Sequence, residues 1–205
     1  MNFQKLLEEE IYKIEFNKIR PKLLLHACCG PCSSYVIEYL CKYFDITIYY
    51  YNPNTYPENE YSRRLDELNK FICEFNSNVK VIEENYNPNE FYIAIKGLEH
   101  LGERSQRCYN CYSLRMKRAA MYAKENNYDY FTTTLSISPY KDAKWINEIG
   151  KNLEKGIGIK YLYSDFKKNN GYKRSIELSK EYKLYRQEYC GCVYSKTERE
   201  TMIKS

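Results

Sequence analysis

The sequence predicts an α/β domain: a mostly parallel five-stranded sheet with helices on both faces. Two observations carry this. Five short runs rich in β-branched, aromatic and aliphatic residues are separated by longer stretches of helical periodicity. Strands that alternate with helices in this way form parallel sheets covered on both sides. The 205 residues contain no linker-like Pro/Gly/Ser tract and no internal repeat, so residues 1–205 are expected to form one domain, with residues 1–20 as an N-terminal helical extension.

Phe3, Leu6, Leu7, Ile11 and Ile14 recur at helical spacing and open the chain. After Pro21, Leu23–His26 reads as the first strand, and Pro31 starts a helix to about Tyr43. Ile46–Tyr51 is the second strand, and Asn52-Pro53-Asn54 is a turn. A long helix follows from about Pro57 to Phe75, then a short third strand, Val79–Ile82. Asn87-Pro88-Asn89 opens a helix over Glu90–Lys96, and Gly97 and Gly102 bracket a loop. Helix formers run from about Arg107 to Asn126. Tyr130–Thr134 is the fourth strand, Ser136–Tyr140 a loop, and Lys141–Lys155 a helix stopped by Gly156 and Gly158. Lys160–Tyr163 makes the fifth strand and Gly171–Glu188 another helix. Ser195 to Glu198 has capping-box spacing and is expected to start the last helix.

Composition narrows the class. The net charge is +5, a mild basic bias compatible with nucleic acid but not diagnostic of it. The 24 tyrosines give weak support for nucleotide contact. Residues 1–20 are charged throughout and no apolar stretch approaches about 18 residues, so no membrane partner is expected and the cytoplasm is the expected compartment. Nine cysteines in a reducing compartment point to metal or redox chemistry and not to structural disulfides.

Seven of the nine cysteines fall in three groups. Cys28, Cys29 and Cys32 stand where an apolar strand gives way to Gly30 and Pro31, at the sheet edge where open α/β folds bind ligands. Gly30 is expected to permit a tight turn there. Cys108 and Cys111 lie three apart on one helix face, which Arg115 continues; Arg115 is a candidate contact to a bound cluster or to a substrate phosphate. Such a pair is half of a tetrahedral zinc site or half of an iron–sulfur ligand set, and the first group can supply the rest. Adjacent ligands such as Cys28-Cys29 are unusual in zinc ribbons, which favours a cluster. In Cys190-Gly191-Cys192 a disulfide would close a strained, reducible ring, so redox work, extra metal ligation and a structural role are the three readings, with redox favoured.

Cys41 and Cys73 read as helix core residues, His26 as a hydrogen-bonded core histidine, and His100 as exposed. Tyr51, Asn52 and Asn54 follow the second strand, and Ser138, Pro139 and Tyr140 the fourth, all at the binding edge. Each is a candidate substrate contact, with turn or loop formation as the competing role, and Tyr140 can stack on a base or donate a proton. Glu60 and Arg64 are one turn apart and read as a surface pair. Lys167, Lys168, Lys173 and Arg174 form a basic run suited to RNA backbone or to solvent.

Several of these stretches resemble one known family. Leu25 to Cys32, Tyr51 to Asn54 with Glu60, Tyr61 and Arg64, Arg107 to Arg115, Thr132 to Tyr140 and Tyr189 to Ser195 are similar, in order, to motifs of the epoxyqueuosine reductase QueH family. The resemblance implies a fold like the adenine nucleotide α-hydrolases, relatives of the PP-loop ATPases. It implies reductive removal of the epoxide oxygen of epoxyqueuosine at the tRNA wobble position. The partners it implies are tRNA carrying epoxyqueuosine and a separate electron donor. It also implies a [4Fe–4S] cluster on Cys28, Cys29, Cys108 and Cys111, and a redox-active pair in Cys190 and Cys192. Cys32 stands where the family has cysteine or aspartate; as a cluster ligand it would free a neighbouring thiol for an additional iron ion. An iron in such a site would act as a Lewis acid on the epoxide oxygen.

Two rivals remain at this stage. A PP-loop-type tRNA sulfur-transfer enzyme needs a Gly/Ser-rich phosphate loop where this chain has Cys28 to Cys32. A zinc-stabilised RNA-binding module would be colourless.

Overall fold

In the computed structural model, which describes residues 2–75 and 78–204, five strands form one sheet in the order β3-β2-β1-β4-β5. They are β1 (Lys22–His26), β2 (Asp45–Tyr50), β3 (Lys80–Glu83), β4 (Tyr130–Thr133) and β5 (Lys160–Tyr161). Every neighbouring pair is parallel. Eight α-helices flank the sheet among the described residues: α1 (Phe3–Phe16), α2 (Gly30–Leu40), α3 (Glu58–Glu74), α4 (Pro88–Ala94), α5 (Gln106–Glu125), α6 (Ala143–Ile157), α7 (Gly171–Glu181) and α8 (Val193–Lys204). This is the predicted α/β class, a parallel five-stranded sheet with helices on both faces.

Period-two alternation sorts the strands between two cores. Leu23 and Leu25 of β1 and Ile46 and Ile48 of β2 pack with Leu7 and Ile11 of α1, Val36 and Leu40 of α2 and Leu68 of α3. Leu24, Tyr49 and Phe131 face the other way, onto Met116, Ala119 and Ala123 of α5 and Ile146 and Ile149 of α6. Helices thus cover both faces.

The chain runs outward from β1 to β3, then returns to place β4 on the other side of β1. The strand order reverses between β1 and β4. Their C-terminal ends therefore open a crevice, the usual ligand position in such sheets. Cys28 follows β1 at this crevice, and Thr134 to Lys141 follow β4.

Gly30 stands where the chain passes from β1 into α2, as its first residue, and its φ is not positive. Its role is close approach: a Cβ there would lie 2.8 Å from the backbone carbonyl oxygen of Glu67 in α3. Gly30→Ala is accordingly expected to lower stability by roughly 1–3 kcal/mol through overpacking, read by urea unfolding.

Helix ends account for most departures from the expected boundaries. The helix predicted to reach Glu188 stops at Glu181. Lys183 adopts φ 48°, its N–H bonds the Lys180 carbonyl, and the Leu184 N–H bonds Ser179. This is a Schellman end with lysine where glycine is usual. Lys18 after α1 and Asn127 after α5 end their helices in the same way. Beyond β4 the chain makes a 3-10 turn, Thr134–Ile137, where a strand end and a loop were expected. The last helix starts at Val193, so Ser195 lies inside it and not at its cap. Cys73 is exposed and is not the core residue expected, whereas Cys41 is half-buried and packs against the core.

Candidate active site

The first thiol group hangs from the end of β1. Ala27 still belongs to the sheet, donating its N–H to the Tyr49 carbonyl at 3.1 Å. Cys29 takes the N-cap position of α2 in extended backbone, and Pro31 lies in the first turn. The Cys28, Cys29 and Cys32 sulfurs all lie within 4.8 Å of one another, a group able to hold a metal ion. The Cys28 and Cys29 sulfurs are 3.7 Å apart, and Cys28 is also 3.7 Å from the Thr134 hydroxyl. The Gln187 side-chain amide donates to Cys29 Sγ at 2.9 Å.

Proton sharing within this group splits the thiols. Cys28 is held well below the ordinary thiol value by hydrogen bonds from Cys29 and Cys32. Cys29 is pushed up to about 11, chiefly by burial. Cys32 is raised by its bonds to the same two neighbours.

The second group rides on the first turns of α5. Cys111 is buried and Cys108 half-buried. Arg115, one turn on, is fully enclosed; its Nη1 points at Cys111 Sγ at 3.9 Å and its Nη2 donates to Asn52 Oδ1 at 2.7 Å. Asn52 in turn donates to the Ala27 carbonyl at 2.9 Å. A continuous chain of polar contacts therefore links Cys111 to the residue preceding Cys28. Burial pushes the Cys111 thiol up to about 11.

The third group closes the site from the far end of the chain. Cys192 caps α8 with its sulfur, which accepts the Ser195 N–H at 3.5 Å. Ser195 Oγ accepts the Cys190 N–H at 2.9 Å. Burial raises the Cys192 thiol to about 12.

These groups meet around two spaces that share lining residues. A cavity of about 500 Å³ is lined by Cys28, Cys32, Cys108 and Cys190, with Tyr112, Ser138, Tyr140, Lys141 and Arg186. A second space of about 20 Å³, enough for one water, lies among Asn54, Cys108, Cys111, Cys190 and Cys192. Cys108 and Cys190 border both. Cys29 is enclosed just behind the first wall, completely buried.

The family comparison bears directly on this arrangement. The model of the family described as epoxyqueuosine reductase QueH matches residues 23–198, which include all seven of these cysteines. The chain belongs to the QueH family. A Streptococcus pyogenes protein named epoxyqueuosine reductase QueH is 43% identical over 199 residues, covering 95% of this chain and 78% of the relative. A Staphylococcus aureus protein of the same name is 43% identical over 211 residues, covering 100% and 88%. One from Thermotoga maritima is 38% identical over 180 residues, covering 86% and 91%. Among solved structures, one described as a predicted subunit of tRNA methyltransferase from Methanocaldococcus jannaschii aligns with a TM-score of 0.51 at 15% identity, over 78% of this chain and 76% of that one. That likeness concerns the fold. Nothing in these comparisons favours the sulfur-transfer or zinc-module readings.

Other singled-out residues of this QueH chain fall into place around the thiols. Tyr51 is buried, its hydroxyl bonded to Glu90. Asn54 is buried at the small space, and its Oδ1 has no partner among the described residues. Ser138 accepts the Tyr140 N–H at 3.3 Å, and the Tyr140 ring is largely exposed at the cavity rim. His26 is the core histidine expected: Nε2 donates to the Tyr51 carbonyl, Nδ1 accepts from Thr133, and burial lowers it to about 3, so it is neutral. His100 is exposed.

One expectation is corrected: Glu60 and Arg64 do pair, at 2.7 Å, but with side chains 9% and 2% exposed they are not a surface pair. Within the basic run, Arg174 pairs with Glu38, Glu177 and Glu181, and Lys167 with Asp165. Of the four, Lys168 and Lys173 are the exposed ones.

Lys141 and Gln187 escaped the sequence reading. Lys141 was expected to be the first residue of a helix; the helix begins two residues later, capped by Asp142, and Lys141 lines the cavity. Burial opposes its charge, but Cys190, Cys28 and Cys32 outweigh burial and hold its pKa above the ordinary lysine value. Its position directly after Ser138-Pro139-Tyr140 was the available signal. Gln187 lay within a stretch read as helix, and nothing local marked it.

Proposed function

We propose that this chain reduces epoxyqueuosine in tRNA to queuosine, with an iron–sulfur centre on the cavity thiols and Cys190 and Cys192 as the redox pair. The carrying observation is that three thiol groups from distant parts of the chain line one cavity at the switch point of the sheet. Removing the epoxide oxygen leaves an alkene and water and consumes two electrons and two protons. Two thiols release that many when they become a disulfide.

The donor set suits iron. Cysteine thiolates are the usual ligands of iron–sulfur clusters, each on its own iron, and Cys28, Cys29 and Cys32 stand together as a group able to hold a metal. A four-iron cluster needs thiols from more than one wall, and Cys108 faces the same cavity as Cys28 and Cys32. We assign Cys28, Cys29, Cys108 and Cys111 to a [4Fe–4S] cluster, and Cys32 to that cluster or to an additional iron. When bound, the centre supplies one-electron reduction and a Lewis acid.

The remaining residues shape and charge the site. The enclosed Arg115 guanidinium and the Lys141 ammonium place positive charge beside the thiolates, which an anionic centre requires. Lys141 also carries a proton at Nζ on the cavity wall. A cavity of about 500 Å³ has the size of a small-ligand pocket and admits an unstacked nucleoside. Ser138 and Tyr140 at the rim, and Asn54 at the inner end, are assigned to the substrate. Tyr51 and Asn52 hold the wall behind it, through Glu90, Ala27 and Arg115. No described helix is long and apolar enough to cross a membrane, and we place the reaction in the cytoplasm with a separate electron donor.

The test is anaerobic incubation of iron-loaded protein with epoxyqueuosine-containing tRNA and a chemical reductant, read by nucleoside mass. Conversion to queuosine, with loss of one oxygen, is expected; unchanged epoxyqueuosine with fully loaded protein contradicts the reading.

A further inference from the structure

Arg64 is almost fully buried, and it does not line the thiol cavity. Its Nε is held by Glu60 at 2.7 Å. Its two terminal nitrogens reach across to the far end of the chain: Nη1 donates to the Cys190 carbonyl at 3.1 Å and Nη2 to the Tyr189 carbonyl at 3.3 Å. The Tyr189 ring lies beneath the guanidinium, 5.2 Å from its carbon. Tyr185 donates its hydroxyl to Glu60, closing the other side.

The next residue shows how closely the loop is drawn in. Gly191 has φ 137°, and a Cβ built on it would lie 2.9 Å from Arg64 Nη1. The Gly191 carbonyl accepts the Tyr56 N–H at 2.8 Å. Three successive carbonyls, of Tyr189, Cys190 and Gly191, are thus taken by donors from one side, while Ser195 takes the Cys190 N–H from the other. A buried, charged fork on two adjacent carbonyls is far more specific than solvent would be.

We propose that Arg64 is a positioning residue that holds the Cys190-Gly191-Cys192 loop in its dithiol geometry and sets the redox equilibrium of the pair. This rests on the reading of Cys190 and Cys192 as the redox pair. The clamp fixes the backbone with Cys192 Sγ turned to cap α8 and Cys190 turned to the cavity, and disulfide formation has to pull both sulfurs from these positions. Oxidation converts two thiols to one S–S bond and releases two electrons and two protons to the epoxide; the clamp acts on the ease of that step and on re-reduction by a dithiol or other two-electron reductant.

The test uses iron-loaded protein equilibrated anaerobically in glutathione buffers of varied ratio, quenched in acid, alkylated and digested with trypsin. The tryptic peptide Gln187–Lys196 carries these two cysteines and no others, so its alkylation state reports the pair alone. Arg64→Gln is expected to raise the disulfide equilibrium constant about tenfold, equivalent to a potential about 30 mV more negative. Arg64→Lys can donate to one of the two carbonyls but not both, and is expected to fall between the two. Gly191→Ala pushes the loop off an intact Arg64–Glu60 pair and is expected to shift the constant in the same direction. If Arg64→Gln fails to fold, the Gly191→Ala result decides. Equilibrium constants within twofold of wild type overturn the clamp. A wild-type peptide that stays reduced at every ratio overturns the redox pair itself, and the clamp with it.

Discussion

Cys108→Ala is expected to purify anaerobically as a folded protein stripped of iron and sulfide, with turnover of epoxyqueuosine-tRNA down by more than about 100-fold. Losing only an outer-shell partner of a metal typically costs about 10–100-fold, and a direct ligand costs more. Cys108 is the best position for this experiment because it contributes least to the fold. It is half-buried in the first turn of α5 and borders both thiol spaces, and its sulfur is hydrogen-bonded to the backbone of the adjoining Arg104 and Ser105. Circular dichroism should match the wild type, while iron and sulfide analysis separates the variant from it. A fully loaded Cys108→Ala protein would remove this residue from the ligand set.

Cys192→Ser is expected to show the opposite split: iron retained, catalysis lost by on the order of a thousandfold or more, as when an enzyme loses its reacting side chain. Folding should survive, for a structural reason. The Cys192 sulfur accepts the Ser195 N–H and so caps α8. Serine is among the best N-cap residues, so its hydroxyl takes over that bond. The measurement pairs metal content with nucleoside mass in one preparation. Loss of iron in Cys192→Ser would move this thiol from the redox pair to the ligands, and undiminished multiple turnover would remove it from both. The two variants together separate holding the centre from exchanging electrons with it.

Much of this site was legible in the sequence because its chemistry is local. The run from Leu23 to Cys32 announces a buried strand that ends in thiols, and the alternation of strands with helices places that end at a ligand-binding edge. What stayed hidden depends on contacts between distant residues. Glu60 and Arg64 have the spacing of any exposed helical pair. Only the return of residues 189 and 190 onto α3, more than a hundred residues later, encloses them. The basic run around Lys167 to Arg174 looked open because its partner Glu38 comes from α2. Helix ends misled for a different reason: Lys18, Asn127 and Lys183 take the left-handed conformation usually marked by glycine, so α7 ends at Glu181 with no glycine or proline to announce it. That early end is what frees Gln187 and the Cys190-Gly191-Cys192 loop to fold back over the cavity.

The central claim is that the three thiol groups enclose one iron–sulfur centre at the C-terminal edge of β1 and β4. Anomalous diffraction at the iron edge, from crystals grown anaerobically with iron-loaded protein, tests it most directly. The account predicts iron density in the cavity bounded by Cys28, Cys32 and Cys108, with Cys29 and Cys111 among the ligands and Cys190 and Cys192 free of metal. Iron at any other position, or a signal at the zinc edge in its place, would contradict it.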